Sequence, residues 1–333
     1  MGDVAMTVPV VRSLARQYPH LRVTVLSRPF ARTFFEGLAP NVGFMGADLK
    51  DEYRGLKGLN ALYRRLVAKN FTAIADLHSI LRSSYLRMRF NLGRYRVEHI
   101  DKHRRERRQL TAAHGKVLRQ LPSPFEGYAD VLARLGYPVK VEFDSIFPPE
   151  GGDMSLIAQR VEPKGEGERW YGIAPFAAHR GKVYDPERME RVVELLLERD
   201  PRCRVFLFGG GQEERQTLDA WERRHDRCVC ASTLLSGLYQ ELVLMSHLDT
   251  MVSMDSSNMH LASLTGTRVV SVWGATHPLA GFTGWNQKPS DAVQLDLPCR
   301  PCSIYGNKPC LRGDYACLAG ITPETIADKV TEG

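Results

Sequence analysis

Asp255-Ser256-Ser257 lies where an apolar run ends and a helical pattern begins, a placement suited to binding an anion. Leu248 to Ser253 reads as a short strand, and helical spacing follows through Met259, His260, Leu261 and Ala262. The first N–H groups of such a helix have no intrahelical partner and carry the positive end of its dipole. They donate either to a capping Asp or Ser or to a phosphate. His260, one turn in, reads equally as a cleft residue or a core histidine. Lys182, in the flexible stretch His179-Arg180-Gly181-Lys182, can reach a phosphate as a mobile point charge. Gly209-Gly210-Gly211-Gln212-Glu213 is a glycine-rich turn in which Gly210 and Glu213 can hold a nucleoside, the carboxylate accepting from ribose hydroxyls.

Charge adds a second theme. The chain carries a net +7, and residues 1–150 hold 25 Lys/Arg against 14 Asp/Glu, while the remainder is acidic. Arg82, Arg87 and the dense run Lys102-His103-Arg104-Arg105-Glu106-Arg107-Arg108 point to an anionic partner. Few aromatics interleave with the run, which argues against a single-strand stacking platform and against nucleic acid as the partner. Cys299-x2-Cys302-x7-Cys310-x6-Cys317 has the count of a four-cysteine zinc site without its paired knuckles. Both a structural zinc and reduced, unligated thiols fit that spacing, and no cofactor is required by any motif. The chain has no GxxxxGK[ST] loop, so ATP hydrolysis of that type is not supported. It has no Asp-x-Asp, which argues against a magnesium-bridged sugar-nucleotide site.

The elements that must position these residues alternate strand and helix. In the first half, helices are expected over Ala5–Tyr18, Leu56–Lys69, from Ser79, over Leu110–Gln120 and over Tyr128–Leu135, with strands at Arg22–Ser27 and Thr72–Asp76. Pro/Gly clusters at Phe147–Gly152 and Pro163–Gly167 read as a linker, with a short helix from Met154 to Val161 between them. The pattern then restarts. Strands are expected at Trp170–Ala174, Arg204–Phe208 and Arg268–Trp273, and helices at Pro186–Glu198, Glu213–Arg224 and Leu238–Ser246. The expected organisation is α/β, with an N-terminal domain over 1–152, a linker over about 153–167 and a C-terminal domain over 168–333. A length of 333 residues and 43% apolar content suit two soluble domains. No run is long enough to span a bilayer and no secretory signal is evident, so the expected location is cytoplasmic.

Taken together the motifs resemble glycosyltransferase family 9, the heptosyltransferases of lipopolysaccharide core assembly. Gly2-Asp3-Val4-Ala5-Met6-Thr7-Val8-Pro9 is similar to the family's Gly-Asp-Val opening. Asp76-Leu77-His78 with Arg82-Ser83 is similar to its Asp-Leu-Gln/His loop, and Lys182 stands where the family has a lysine. Asp255 to Ala262 resembles its Asp-Ser/Thr-Gly-x-x-His-Leu-Ala signature, with Ser257 in place of the glycine. Trp273-Gly274-Ala275-Thr276-His277-Pro278 resembles Phe-Gly-x-Thr-x-Pro.

The resemblance implies a GT-B fold: two Rossmann-like, doubly wound domains facing across a cleft, the first for acceptor and the second for nucleotide sugar. It implies an inverting transfer, typically from ADP-heptose to a Kdo-lipid A type acceptor, by an enzyme peripheral to the inner membrane. Asp3 becomes the catalytic base, although the residues alone read it as an N-cap for the helix near Ala5. Lys182, Asp255, Ser256 and Ser257 become the diphosphate site, with Asp255 capping the helix and orienting Ser256. Asp76, His78, Arg82, Arg104 and Arg105 become the acceptor side. The family carries an apolar strand before Gly-Asp-Val. Since this sequence begins at Met1, the expectation is that Met1 is an internal methionine and that the first domain lacks its central strand. The rival readings are a GT-B nucleotide-sugar epimerase, a noncatalytic binder of anionic ligands or nucleic acid, and a scaffold that retains nucleotide affinity without turnover.

Overall fold

The computed structural model describes residues 1–332. The chain divides into two compact units. One comprises Asp3–His103 and Pro122–Phe143; the other comprises Arg104–Leu121 and everything from Asp144 onward.

The second unit is built on one parallel sheet. Its strands are β5 (Arg169–Ala174), β6 (Cys203–Leu207), β7 (Cys228–Cys230), β8 (Thr250–Met254), β9 (Arg268–Val272) and β10 (Ala292–Val293), in the order β10-β9-β8-β5-β6-β7. The chain runs outward from β5 through β6 to β7, then crosses back to β8 on the other side of β5. That reversal makes the β5/β8 pair the topological switch point, where the loops leaving neighbouring strands diverge and leave a crevice at their carboxyl ends. Strands covered on both faces should read as continuous apolar runs. Accordingly every residue of β8 is buried, as is every residue of β5 after Arg169. Ile173, Val205, Val252 and Val270 join Val192, Trp221 and Ile326 from flanking helices in one core.

The first unit is sparser. β1 (Val23–Ser27) pairs in parallel with β2 (Val42–Gly46), and β3 (Ala73–Asp76) pairs in parallel with β4 (Arg96–His99). The pairs form two separate two-stranded sheets. Helices Val8–Gln17, Gly55–Val67, Leu81–Leu92 and Pro124–Arg134 accompany them. The last of these starts cleanly: Ser123 and Glu126 form a reciprocal capping box ahead of Pro124. A core of Met45, Tyr53, Leu62, Leu66 and Phe90 lies under the Gly55–Val67 and Leu81–Leu92 helices.

Two stretches depart from the sequence reading. The expected helix over Leu110–Gln120 is absent; the helix is Arg104–Leu110, and the chain then runs irregularly. Gly115 takes a left-handed turn, φ 61°. The irregular run is held by tertiary contacts instead: Lys116 Nζ donates to the carbonyls of Cys299 and Pro301, and the Leu121 N–H donates to Leu279 O. Leu110 and Leu121 pack with Ala280. These contacts carry the basic run, with Arg104 and Arg105 exposed on it, into the second unit rather than the first. The expected linker is likewise tied down: Ile157 and Val161 are buried, the Gly152 N–H donates to Ser246 Oγ, and the only helical turn there is Met154–Leu156.

Candidate functional site

The phosphate-binding candidates sit at the switch point. β5 and β8 lie side by side, with Ala174 opposite Ser253 near their carboxyl ends. The loop after β5 leads to the tight turn Arg180–Lys182, and the residue after β8 is Asp255. Lys182 Nζ lies 2.8 Å from Asp255 Oδ2, with 16% and 4% of the two side chains exposed. Oδ2 is otherwise without a hydrogen-bond partner, so the contact is one of charge pairing. A carboxylate this deep is tolerated because the ammonium is against it; removing either partner would strand a buried charge.

Lys182 is not on a mobile loop, as its sequence context suggested. Three glycines clamp it. The Ala275 N–H donates to Gly181 O. A Cβ on Gly181 would stand 2.8 Å from Gly306 O, one on Gly274 2.6 Å from Gly181 O, and one on Gly306 2.6 Å from Lys182 Cγ. A side chain at Gly181 or Gly274 would force the backbone to give way, and one at Gly306 would displace the Lys182 side chain, so the turn is set by close packing. Behind it Arg300, itself 3% exposed, donates to the carbonyls of Gly274, Thr276 and Leu295. Its guanidinium is pulled below its ordinary value by burial. Arg300 and the glycine clamp were missed in the sequence; the one signal was a lone arginine between two cysteines, Cys299 and Cys302.

Next to the ion pair the helix Ser257–Leu264 begins. Ser256 is its N-cap residue, and no side chain caps the helix. Asp255 therefore does not act as the expected cap: its carboxylate is turned to Lys182. Ser256 Oγ sits 3.3 Å from Ser253 Oγ. The first-turn N–H groups, including that of Ser257, thus remain available to an anion beside a buried cation. His260 is buried at 6% exposure within this helix. In the glycine turn, Glu214 rather than Glu213 makes the closing contact: its Oε2 accepts from the Gly210 N–H at 2.7 Å. Glu213 and Gly210 are exposed at the start of the helix Gln212–Arg224.

The first unit brings its own candidates together more loosely. Asp3 lies in the short turn Gly2–Ala5, and Thr7 precedes the helix Val8–Gln17, so Asp3 is not the N-cap of that helix. Its Oδ2 lies 3.7 Å from His78 Nε2, both side chains being more than half exposed. Tyr128 Oη donates to Asp3 O at 3.3 Å and helps hold the turn. Asp76 is buried at the end of β3, and its carboxylate is fully occupied. Oδ1 accepts from the N–H groups of His78 and Ser79, and Oδ2 pairs with Arg87 at 3.1 Å. It positions the loop that carries His78. Ser79 takes a positive φ of 46° in that loop. Arg82 is exposed in the first turn of the next helix.

The four C-terminal cysteines are neighbours: Cys299, Cys302 and Cys310 add to the burial that pushes the Cys317 thiol up to about 11. Among the described residues, however, no three His, Cys, Asp or Glu side chains are placed to hold a metal ion. No chemistry is assigned to Cys299, Cys302, Cys310 and Cys317.

The arrangement offers a clamped cation and open N–H donors in one unit, and an exposed carboxylate–imidazole pair in the other. Glycosyltransferase family 9 (heptosyltransferase) matches residues 59–309. The chain is 23% identical over 287 residues to lipopolysaccharide core heptosyltransferase OpsX of Haemophilus influenzae, covering 84% of this chain and 78% of that protein. It is 22% identical over 132 residues to lipooligosaccharide heptosyltransferase 2 of Campylobacter jejuni, a match spanning 38% of this chain and only 40% of that relative's length. Among solved structures, E. coli heptosyltransferase WaaC with ADP-2-deoxy-2-fluoro heptose superposes with a TM-score of 0.67 at 16% identity, over 100% of this chain and 96% of that one. A likeness at that identity establishes the fold.

Proposed function

Because this chain belongs to glycosyltransferase family 9, we propose that it moves heptose, or a related sugar, from an ADP-sugar to a lipopolysaccharide inner-core acceptor. The observation that carries this reading is the clamped Lys182–Asp255 pair beside the uncapped start of the Ser257–Leu264 helix. A departing nucleoside diphosphate needs fixed positive charge where its own negative charge grows, and a preorganised cation supplies that without reorganising. The relatives are lipopolysaccharide and lipooligosaccharide heptosyltransferases, and the WaaC structure holds an ADP-heptose analogue.

In this reading the second unit holds the donor. Lys182 and the N–H groups at Ser257 bind the diphosphate, and Gly210 and Glu213 hold the nucleoside. The first unit holds the acceptor. Asp3, steered by His78, takes the proton from the acceptor hydroxyl. The hydroxyl oxygen bonds to the anomeric carbon as the bond from that carbon to the phosphate oxygen breaks, and ADP leaves with the electron pair. Attack from the side opposite the leaving group inverts the anomeric centre. Arg82 in the first unit, and Arg104 and Arg105 in the second, offer charge to an acidic acceptor of the Kdo-lipid A type. An enzyme with such a substrate works at the cytoplasmic face of the inner membrane.

The test is mass spectrometry of a Kdo-containing acceptor incubated with ADP-heptose, with Asp3→Ala as the control. The expected result is a gain of one heptose that the variant abolishes. No gain with any nucleotide sugar defeats the proposal. Release of an epimerised nucleotide sugar in the absence of acceptor would mark an epimerase instead.

A further inference from the structure

The helix Leu81–Leu92 carries apolar residues on two opposite faces. Leu86 and Phe90 turn inward, Phe90 being fully buried in the core of the first unit. Leu81, Tyr85, Met88 and Leu92 stand at i, i+4, i+7 and i+11, which places them on one stripe of a helix. That stripe faces outward: Leu81 is 88% exposed, Met88 48% and Leu92 75%. Tyr85 lies half-buried in the same row, its hydroxyl donating to Asn60 of the Gly55–Val67 helix. Leu56, in the first turn of that neighbouring helix, is also exposed. Single exposed leucines are ordinary, but a row of them along one helix marks an interaction surface.

The charge around the row selects the partner. Residues 54–94 hold nine Lys/Arg and one acidic residue, Asp76. Asp76 is buried against Arg87 and contributes no surface charge. Arg82 and Arg89 flank the stripe, and Arg94 and Lys57 are exposed beyond its ends. An apolar row on a segment this rich in cations matches the interface of an anionic bilayer: apolar side chains enter the acyl boundary while guanidinium groups stay among phosphates. We infer that the outer face of Leu81–Leu92 docks the chain on an anionic lipid surface. This deepens the reading above and rests on it for why a membrane is met. The stripe begins three residues after His78, so docking would bring the acceptor loop to the surface from which a lipid-anchored sugar projects.

The experiment sediments the full chain with phosphatidylcholine vesicles, with and without a quarter of phosphatidylglycerol. Wild type should bind the mixed vesicles at least about tenfold more tightly than the neutral ones, with the difference shrinking as salt is added. Met88→Ser/Leu92→Ser should lose about tenfold or more in binding to the mixed vesicles, and Lys57→Gln/Arg94→Gln should lose the preference for them. Transfer to a delipidated, water-soluble acceptor should stay at the wild-type rate in both. Variants that bind mixed vesicles like wild type overturn the inference, as does wild type that prefers neither vesicle. A wild-type dimer that Met88→Ser/Leu92→Ser turns into a monomer overturns it in favour of a second copy of this chain. The two proposals fail separately: lost vesicle binding with no transfer by wild type defeats only the transferase, and normal transfer with unchanged vesicle binding defeats only the docking face.

Discussion

The strand β3 ends in an aspartate and β8 is followed by one, and the two aspartates are used in opposite ways. β8 is buried at every residue, and Asp255 after it meets a lysine wedged among three glycines. β3 is half exposed, and Asp76 at its end is spent on its own loop, holding His78 and Ser79 in place. The reacting carboxylate proposed for the first unit, Asp3, lies on a turn and is exposed. One unit therefore fixes its charge through the core, the other through local hydrogen bonds. In the proposed reading the phosphate side of the chemistry is preorganised, and the acceptor side is left open to a substrate that brings its own shape. Substitutions in the second unit should cost stability and binding together, while those in the first should separate turnover from stability.

The largest expected effect is at the buried pair. Lys182→Met strands the Asp255 carboxylate and should lower unfolding free energy by about 3–5 kcal/mol. It should also abolish measurable ADP binding by calorimetry. Lys182→Met/Asp255→Leu removes both charges and should recover most of the stability, since a packed apolar pair often equals a buried ion pair. ADP affinity should stay lost. If the double variant regains ADP affinity, the pair is a structural brace and Lys182 is not the phosphate ligand.

Asp3→Ala is the counterpart in the first unit. General-base removal should reduce kcat by about 100- to 10,000-fold. Because the side chain is exposed, unfolding free energy should move by no more than about 0.5 kcal/mol. ADP affinity should not change. A loss of stability comparable to that of Lys182→Met would erase the distinction between the units.

How much of this was legible beforehand follows the same division. The alternating pattern gave β5, β6, β8 and β9 to within about two residues, because strands buried on both faces are uninterrupted apolar runs, while the two-residue β10 was not anticipated. β2 and β4 were not anticipated: Val-Gly-Phe-Met-Gly and Arg-Val-Glu-His are short, and their pairing comes from β1 and β3 beside them rather than from their own pattern. The expected helix over Leu110–Gln120 failed for a related reason. Leu110 is an anchor for a tertiary contact, Val117 and Leu118 are exposed, and Lys116 ties the run to Cys299, none of which the period alone could say. At the site, the residue types at Lys182, Asp255 and Ser256 were readable from their places after strands. Their mutual contact was not, since it joins positions over seventy residues apart through a sheet order that only the fold supplies. The glycine clamp was unreadable because a glycine required by a neighbour's carbonyl looks the same as one in a loose loop.

That clamp gives a finer test. Gly181→Ala forces a methyl to within 2.8 Å of Gly306 O and 3.0 Å of the Ala275 Cβ. Overpacking of this kind should cost about 1–3 kcal/mol. ADP affinity should fall with it, because the turn that holds Lys182 is displaced. Gly210→Ala is the control: nothing lies within 4 Å of its added methyl, and stability should stay within about 0.5 kcal/mol of wild type. Denaturant melts of both variants decide the matter. Equal stabilities would mean that the Lys182 turn is as compliant as an ordinary loop.

The smallest expected effect asks whether the second unit's dense packing extends to its polar groups. His277 accepts the Leu279 N–H at Nδ1, and burial, with Arg300 beside it, pushes the imidazole down to about 4. Between about pH 6.5 and that value the unfolded chain takes up a proton that the folded chain refuses. Stability from this group is therefore complete above pH 6.5 and is lost as pH falls toward 4. The full shift corresponds to about 3 kcal/mol, and partial solvent screening of the half-buried ring reduces it to about 1–2 kcal/mol. His277→Asn keeps an acceptor for Leu279 but does not titrate. Melts at pH 7 and pH 4.5 should show wild type losing about 1–2 kcal/mol more than the variant, while the carboxylates common to both cancel in the difference. Parallel losses would place the imidazole in contact with water in the folded chain, and the second unit would then be tightly packed around its glycine clamp but not as far as His277.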